Sequence, residues 1–229
     1  MGCFNATAGH PKTMSDTEKR AEENLMRRMA STKPRVAQVK ITQGVKELKQ
    51  QYVINKERLG TGSYGQVYLA VDRKDPDQKV AIKVINKQKM TKEDILAIMD
   101  EVQILLTVDH PNIVAYHETY DDLNYIYLVM EHLPGGELFD SPQTFTKENS
   151  SYSEGDAAAV ISKLLKALHH CHSLGIVHRD IKPENIMYGA DGEVRIVDFG
   201  LARETVSKMS TFAGTPYFMA PEVLNHNYG

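Results

Sequence analysis

The sequence predicts an α+β fold in two lobes, with a β-rich first lobe carrying one main helix and a second, helical lobe that is incomplete. Three observations point there. Strand-like segments crowd between residues 52 and 131 around a single amphipathic stretch, the segments after residue 136 are mainly helical, and a Pro-Gly-Gly break at 134–136 separates the two. The chain accordingly divides into an extension over 1–51, a first lobe with its connection over 52–133, and a second lobe over 134–229. At 229 residues and 41 % hydrophobic content it can bury a core of that size.

The extension differs in texture from everything after it. Residues 1–50 are polar, lack strand-like alternation and carry a net charge of +5, against −8 for the remainder. A basic leader on an acidic body reads either as an arm that meets an anionic partner or as a solvated tail. Within it, "SDTEKRAEENLMRRMA" suits a short charged helix with Ser15 as N-cap and Glu18 three residues on. The rest of the extension carries no structural signal. No run of 18 apolar residues occurs, so no transmembrane helix is expected, and the start lacks the pattern of a secretory signal. Cys3 and Cys171 are the only cysteines; they build no disulfide framework and suit a reducing, cytoplasmic compartment.

From Tyr52 onward the elements follow in order. "YVINKERLG", "QVYLAV" and "KVAIKVI" are β-rich, the last two split by the turn-like "DRKDPDQ". "TKEDILAIMDEVQILLTV" places Ile95, Ile98, Met99, Val102, Leu105 and Leu106 at helical spacing behind a Thr91/Asp94 capping box. "YIYLVMEHL" is a short buried strand. "EGDAAAVISKLLKALHHCHSLG" is a helix closed by Gly175 at C′, and "EVRIVDFG" is a further strand.

Chemistry enters first at "LGTGSYGQVYLAV", where Gly60, Gly62 and Gly65 take the G-x-G-x-x-G spacing. Dinucleotide-binding folds use the same spacing, but there the glycines open a helix. Here they lead into a strand, which predicts a hairpin flap whose backbone N–H groups can approach phosphate oxygens. An ordinary glycine-rich hairpin remains the alternative. Lys83 sits inside the apolar run "VAIK", where burial is costly without a partner, and Glu101, flanked by apolar residues on the helix, supplies the complementary charge. Further on, "IVHRDIKPENIMYGADGEVRIVDFG" brings Asp180, Asn185 and Asp198 into one short segment, the oxygen donors that a hard cation such as Mg2+ takes together with substrate phosphates. Asp180 can accept a hydroxyl proton, and Lys182 can balance charge on a transferred phosphoryl group.

Taken in order, the glycine loop, "VAIK", the helix glutamate, "HRDIKPEN", "DFG" and "APE" resemble a eukaryotic protein kinase over residues 52–229. The resemblance implies ATP and Mg2+ as cofactors and protein substrates, with no nucleic-acid partner. It makes Asp180 the catalytic base, puts Lys182 on the γ-phosphate, and gives Asn185 and Asp198 to Mg2+. Lys83, held by Glu101, would contact the α- and β-phosphates. Thr61, Ser63, Tyr64 and Gln66 would join the three loop glycines over the phosphates, and Leu59, Val67, Ala81 and Met187 would sandwich the adenine. Met130 takes the gatekeeper position, or is simply a core residue, and Glu131 and Leu133 would offer hinge backbone groups. Lys182 two residues after Asp180, and "GTPYFMAPE" with Thr215 near Asp180, resemble Ser/Thr rather than Tyr kinases. Glu137 and Glu184 match positions that bind an arginine upstream of the phosphoacceptor, although Glu137 could instead touch the ribose. Thr211 matches an activating phosphorylation site, with Arg179 as its phosphate partner.

"PGGELFD" and "YSEGDAAAVISKLLKALHHCHSLGIVHRDIKPENIMY" are most similar to the calcium-dependent protein kinases of plants and protists. No D-x-[DN]-x-[DN]-G loop with a trailing Glu occurs, so the calcium-binding regulatory domain this implies is expected outside the chain. In that family Glu222 of "APE" pairs with an arginine far downstream, which marks this sequence as truncated within the helical lobe and predicts exposed apolar surface there. The start "MGCFNAT" offers Gly2 for myristoylation and Cys3 for palmitoylation, hence a membrane surface as partner, with Ala6 departing from the usual Ser/Thr. A second reading, from another class, is a nucleotide-binding regulatory module without catalysis.

Overall fold

Alternation of apolar residues builds the first lobe. The computed structural model describes residues 41–62, 65–140, 153–204 and 214–224. β1 (Ile41–Gln43) and α1 (Val45–Gln51) precede β2 (Tyr52–Gly62), β3 (Gly65–Asp72) and β4 (Lys79–Asn86). α2 (Lys92–Thr107) follows, then β5 (Tyr116–Asp121) and β6 (Tyr125–Glu131). They form one sheet in the order β1-β5-β6-β4-β3-β2, antiparallel throughout except for β1, which pairs in parallel with β5. β2 and β3 make the expected hairpin, with Gly62 opposite Gly65.

The period-2 geometry of the strands divides β4 between two faces. Val80 and Ile82 join Ala70, Tyr120, Tyr127 and Val129 in one cluster. Lys83 lies opposite Val67 and Leu128, and Ala81 opposite Met130, on the other face. α2 packs its Ile98 and Val102 against Ile85, Ile126 and Leu128. Its start carries the predicted capping box, with the Asp94 N–H donating to Thr91 Oγ1 and the Thr91 N–H to Asp94 Oδ2.

The second lobe is built on α3 (Glu154–Ser173), which Gly175 terminates with a φ of 72°. Leu164, Ala167 and Cys171 on its buried side pack with Ile186, Ile196 and Phe199. β7 (Ile176–Val177) pairs with β10 (Arg203–Glu204), and β8 (Ile186–Tyr188) with β9 (Val194–Ile196). A short helical turn at Pro216–Phe218 leads to α4 (Pro221–Leu224). Large apolar side chains lie open on this lobe: Ile161 and Leu165 on α3, and Tyr217 and Phe218 beyond it. No described helix is long and apolar enough to cross a membrane.

Two differences from the sequence reading stand out. Residues 41–51, assigned above to the extension, are a strand and a helix of the first lobe, and Leu48 on α1 is fully buried. Three strand residues and a single buried leucine leave no periodicity to detect. β5 likewise has no strand-like pattern, because each face mixes types: Glu118 shares one with Tyr120, and Thr119 shares the other with Tyr116. The proposed helix from Ser15 lies outside the described residues.

Candidate active site

β4 inside the sheet, α2 and the segments around β7–β9 come together at Lys83, Glu101 and Asp198, which mark the candidate cleft. Lys83 Nζ sits 3.0 Å from Glu101 Oε1 and 3.6 Å from Asp198 Oδ1, with Lys83 and Glu101 almost wholly buried. Burial works against the ammonium, but Glu101 and then Asp198 more than offset it and hold Lys83 above the ordinary lysine value. Burial also pushes Glu101 up against the pull of Lys83. With the cation at hydrogen-bond distance, the ionised pair is the form that satisfies the geometry. Glu101 Oε2 has no hydrogen-bond partner among the described residues.

Asp180 is the hub of a second cluster. Its Oδ1 accepts from the Thr215 N–H at 2.9 Å and from Thr215 Oγ1 at 2.7 Å. Its Oδ2 faces Lys182 Nζ at 2.9 Å and accepts from Asn185 Nδ2 at 3.1 Å. Lys182 Nζ also donates to Thr215 Oγ1 at 3.0 Å, so the hydroxyl proton points at Asp180. Burial would raise the Asp180 pKa, but Lys182, Thr215 and Asn185 together carry it below the usual carboxylate value. The approach of Thr215 depends on Gly214, whose φ is 117° and where a Cβ would meet the Arg179 carbonyl oxygen at 2.6 Å. Asn185 also donates to the Asp180 carbonyl at 2.8 Å; with Nδ2 so engaged, Oδ1 is the end left to face the cleft.

His178 and Phe199, quoted in the motifs without an assigned role, hold the two clusters together. Their rings meet edge to face, 4.7 Å between centroids. His178 Nδ1 accepts from the Asp180 N–H at 3.3 Å, so Nε2 carries the proton and donates to the Val197 carbonyl at 3.1 Å. That carbonyl belongs to the residue before Asp198, and a neutral ring thus spans both aspartates. Arg195, also unremarked in the sequence, lies 3.5 Å from Glu131, whose carboxylate accepts from the Ala115 N–H. Nothing in the spacing of these residues signals such contacts.

The remaining predicted site residues are placed as follows. Val67, Ala81 and Met130 share the cleft-side face of the sheet with Lys83. Leu59, Gly60, Thr61 and Gly62 end β2, with Leu59 exposed, and Gly65 and Gln66 begin β3. Glu131 ends β6, Leu133 is buried in the second-lobe core, and Met187 packs on that core. Glu137 bridges to Met187. Burial, then Asp140 and Glu184, raise the Glu137 pKa, which puts these carboxylates in one acidic group. Gly2, Cys3, Ser63, Tyr64 and Thr211 lie outside the described residues. Arg179, with φ 69°, donates through Nε to the Leu201 carbonyl.

The profile of the protein kinase domain matches residues 53–229. Among curated proteins, the chain is 44 % identical to a calcium/calmodulin-dependent protein kinase type 1 of Macrobrachium nipponense, over 76 % of this chain and 50 % of that protein. It is 40 % identical to calcium-dependent protein kinase 5 of Plasmodium falciparum, over 80 % of this chain and 32 % of the relative. Myosin light chain kinase A of Dictyostelium discoideum is 46 % identical, over 74 % and 58 %. The chain spans about a third to somewhat over half of the length of these relatives. A profile match across most of the sequence, over the residues that build this cleft, establishes that the chain belongs to the protein kinase family.

Proposed function

We propose that this cleft transfers the γ-phosphoryl group of ATP to Ser or Thr hydroxyls of protein substrates. The observation that carries the reading is the Asp180 carboxylate, held ionised by Lys182, Thr215 and Asn185 beside the Lys83–Glu101 pair. The substrate oxygen bonds to the γ-phosphorus as the bond to the β,γ-bridging oxygen breaks, ADP leaves, and the hydroxyl proton goes to Asp180. Asp180 already accepts four hydrogen bonds, so a substrate hydroxyl must displace one. Lys182 is the donor free to turn, because a γ-phosphate offers its ammonium a stronger acceptor. Thr215 then keeps the carboxylate oriented. Lys83 balances charge on the α- and β-phosphates, and the hinge backbone at Glu131 and Leu133 meets the adenine.

The donor set fits Mg2+. Asn185 Oδ1 and the Asp198 carboxylate are hard oxygen donors, and no described cluster of three or more His, Cys, Asp or Glu forms an all-protein cage. That is the pattern of an ion completed by water and substrate phosphates. When bound, Mg2+ would neutralise charge on the phosphate oxygens. Gly60 fits the same reading from the flap, since a Cβ there would meet nothing within 4 Å, which leaves its backbone open to a ligand.

The acidic group of Glu137, Asp140 and Glu184 supports basic substrates with an upstream arginine. Similarity to relatives named as calcium- and calmodulin-dependent kinases supports calcium control of the whole protein. Thr211 is its proposed phosphorylation site. We place the protein in the cytoplasm, held at membranes by acylation of Gly2 and Cys3, since one acyl chain alone anchors marginally. Gly2→Ala should release it to the soluble fraction, and unchanged membrane retention would refute the anchor.

The test of catalysis incubates the 229-residue chain with ATP, Mg2+ and a serine peptide with or without an upstream arginine, beside Asp180→Asn. Transfer that favours the arginine peptide and falls about 10²–10⁴-fold in the variant supports the reading. ATP binding with no transfer, unaltered by Asp180→Asn, would make the chain a nucleotide-binding regulatory module instead.

A further inference from the structure

We propose that residues 41–52 act as a strap that positions the glycine flap, with Tyr52 and Glu118 as its positioning residues. The inference rests on the nucleotide reading of the cleft.

β1 and β2 lie at opposite ends of the six-stranded order, yet only α1 separates them in sequence. The chain therefore leaves the β5 edge, crosses the sheet face that points away from the cleft, and enters β2 at the other edge. α1 touches both β5 and β2 on the way. Leu48, fully buried, is the pin of this crossing, packed among Tyr52, Ala70, Ile82, Tyr120 and Val129. Those residues come from five different strands, so the strap spans the whole width of the sheet.

A side-chain link closes the crossing. Tyr52, the first residue of β2, donates its hydroxyl to Glu118 Oε1 on β5 at 2.7 Å. Its ring meets Tyr120 edge to face, with centroids 6.5 Å apart. Two strands that are never neighbours in the sheet are thus joined by a charge-assisted hydrogen bond. The same β2 runs on to Leu59–Gly62, the first limb of the flap. Register irregularities between Ile54 and Gly60 make this limb the irregular part of the hairpin, where an anchor at its root has most to hold. β5 pairs through β6 with the hinge at Glu131. The Tyr52–Glu118 bond thus references the flap, which serves phosphates, to the strand pair that carries the adenine contacts.

The test measures Kd for ATP and for adenosine on the full chain. Tyr52→Phe removes one oxygen and keeps the ring. It should weaken ATP roughly three- to tenfold, as part of a charge-assisted hydrogen bond's free energy is lost from the flap, and weaken adenosine, which would meet only Leu59 of this limb, by a clearly smaller factor. Glu118→Gln, which still offers a carbonyl acceptor, should recover most of the ATP affinity that Glu118→Ala loses. Equal losses for ATP and adenosine would mean a merely structural role and overturn the proposal, as would unchanged ATP binding in Tyr52→Phe. A wild-type chain that binds neither ligand would overturn the nucleotide reading itself.

Discussion

Removal of the Lys83 ammonium is the perturbation whose cost follows most directly from the geometry. In Lys83→Met, Glu101 loses a partner at 3.0 Å and Asp198 one at 3.6 Å, and Glu101 stays buried with no cation in reach. Breaking a buried pair in this way costs about 3–5 kcal/mol, because an uncompensated charge is left in a low-dielectric site. Glu101→Leu should cost less, since Lys83 keeps Asp198 as a counter-ion. The double variant strands no buried carboxylate and should lie within about 1–2 kcal/mol of wild type. At about 2–4 °C per kcal/mol for a domain of this size, Lys83→Met alone should lower Tm by roughly 6–20 °C. The assay is thermal and urea unfolding of the full chain without nucleotide, followed by circular dichroism. The pH dependence has a definite sign. The folded pKa of Lys83 is raised, so its contribution is fully present below the ordinary value of 10.5 and is lost as pH rises through the folded value. The gap between wild type and Lys83→Met should therefore narrow in alkali. Strict additivity of the two single substitutions would refute the reasoning, because it would mean that the two charges do not depend on each other.

Two further outcomes are expected. Gly65→Ala puts a Cβ 2.2 Å from the Val84 carbonyl oxygen and should cost about 1–3 kcal/mol. Gly60→Ala meets nothing within 4 Å and should leave Tm within about 1–2 °C while weakening ATP; equal melting losses in differential scanning fluorimetry would contradict this. Burial lowers the His178 pKa, so the ring should stay neutral, protonated on Nε2, as pH falls below 6.5. Its contribution to stability is complete above the unfolded value of 6.5 and is lost as pH falls through the folded one. ¹⁵N chemical shifts check this directly, and titration of His178 at or above 6.5 would contradict it.

The parts of this molecule that were legible in its sequence are those where one side chain needs one partner for a reason stated in its own neighbourhood. Lys83 in an apolar strand asks for a carboxylate, and Glu101 answers. Three glycines ahead of a strand ask for a hairpin, and Gly62 pairs with Gly65. What stayed hidden depends on chain segments far apart in sequence. His178 reads as one more polar residue until Phe199 and Val197 arrive beside it. Arg195 gives no sign of Glu131, 64 positions earlier. Tyr52 and Glu118 are 66 apart, and neither sits in a pattern that points to the other.

The strap explains how one sheet serves two demands. β4 sends Val80 and Ile82 to one face and Ala81 and Lys83 to the other, and a one-residue slip would exchange them. Lys83 is tolerable in that strand only if the register cannot slip. Register is specified most strongly where a face has a fixed apolar cover. The cleft face has such a cover only in part, where α2 lies over Ile85, Ile126 and Leu128, because the stretch around Val67 and Ala81 is the proposed nucleotide site. The other face carries the second cover, where Leu48 of α1 is buried in one cluster with residues from all five antiparallel strands. On this argument the residues ahead of the family match, which begins at residue 53, help to hold Lys83 on its side of the sheet.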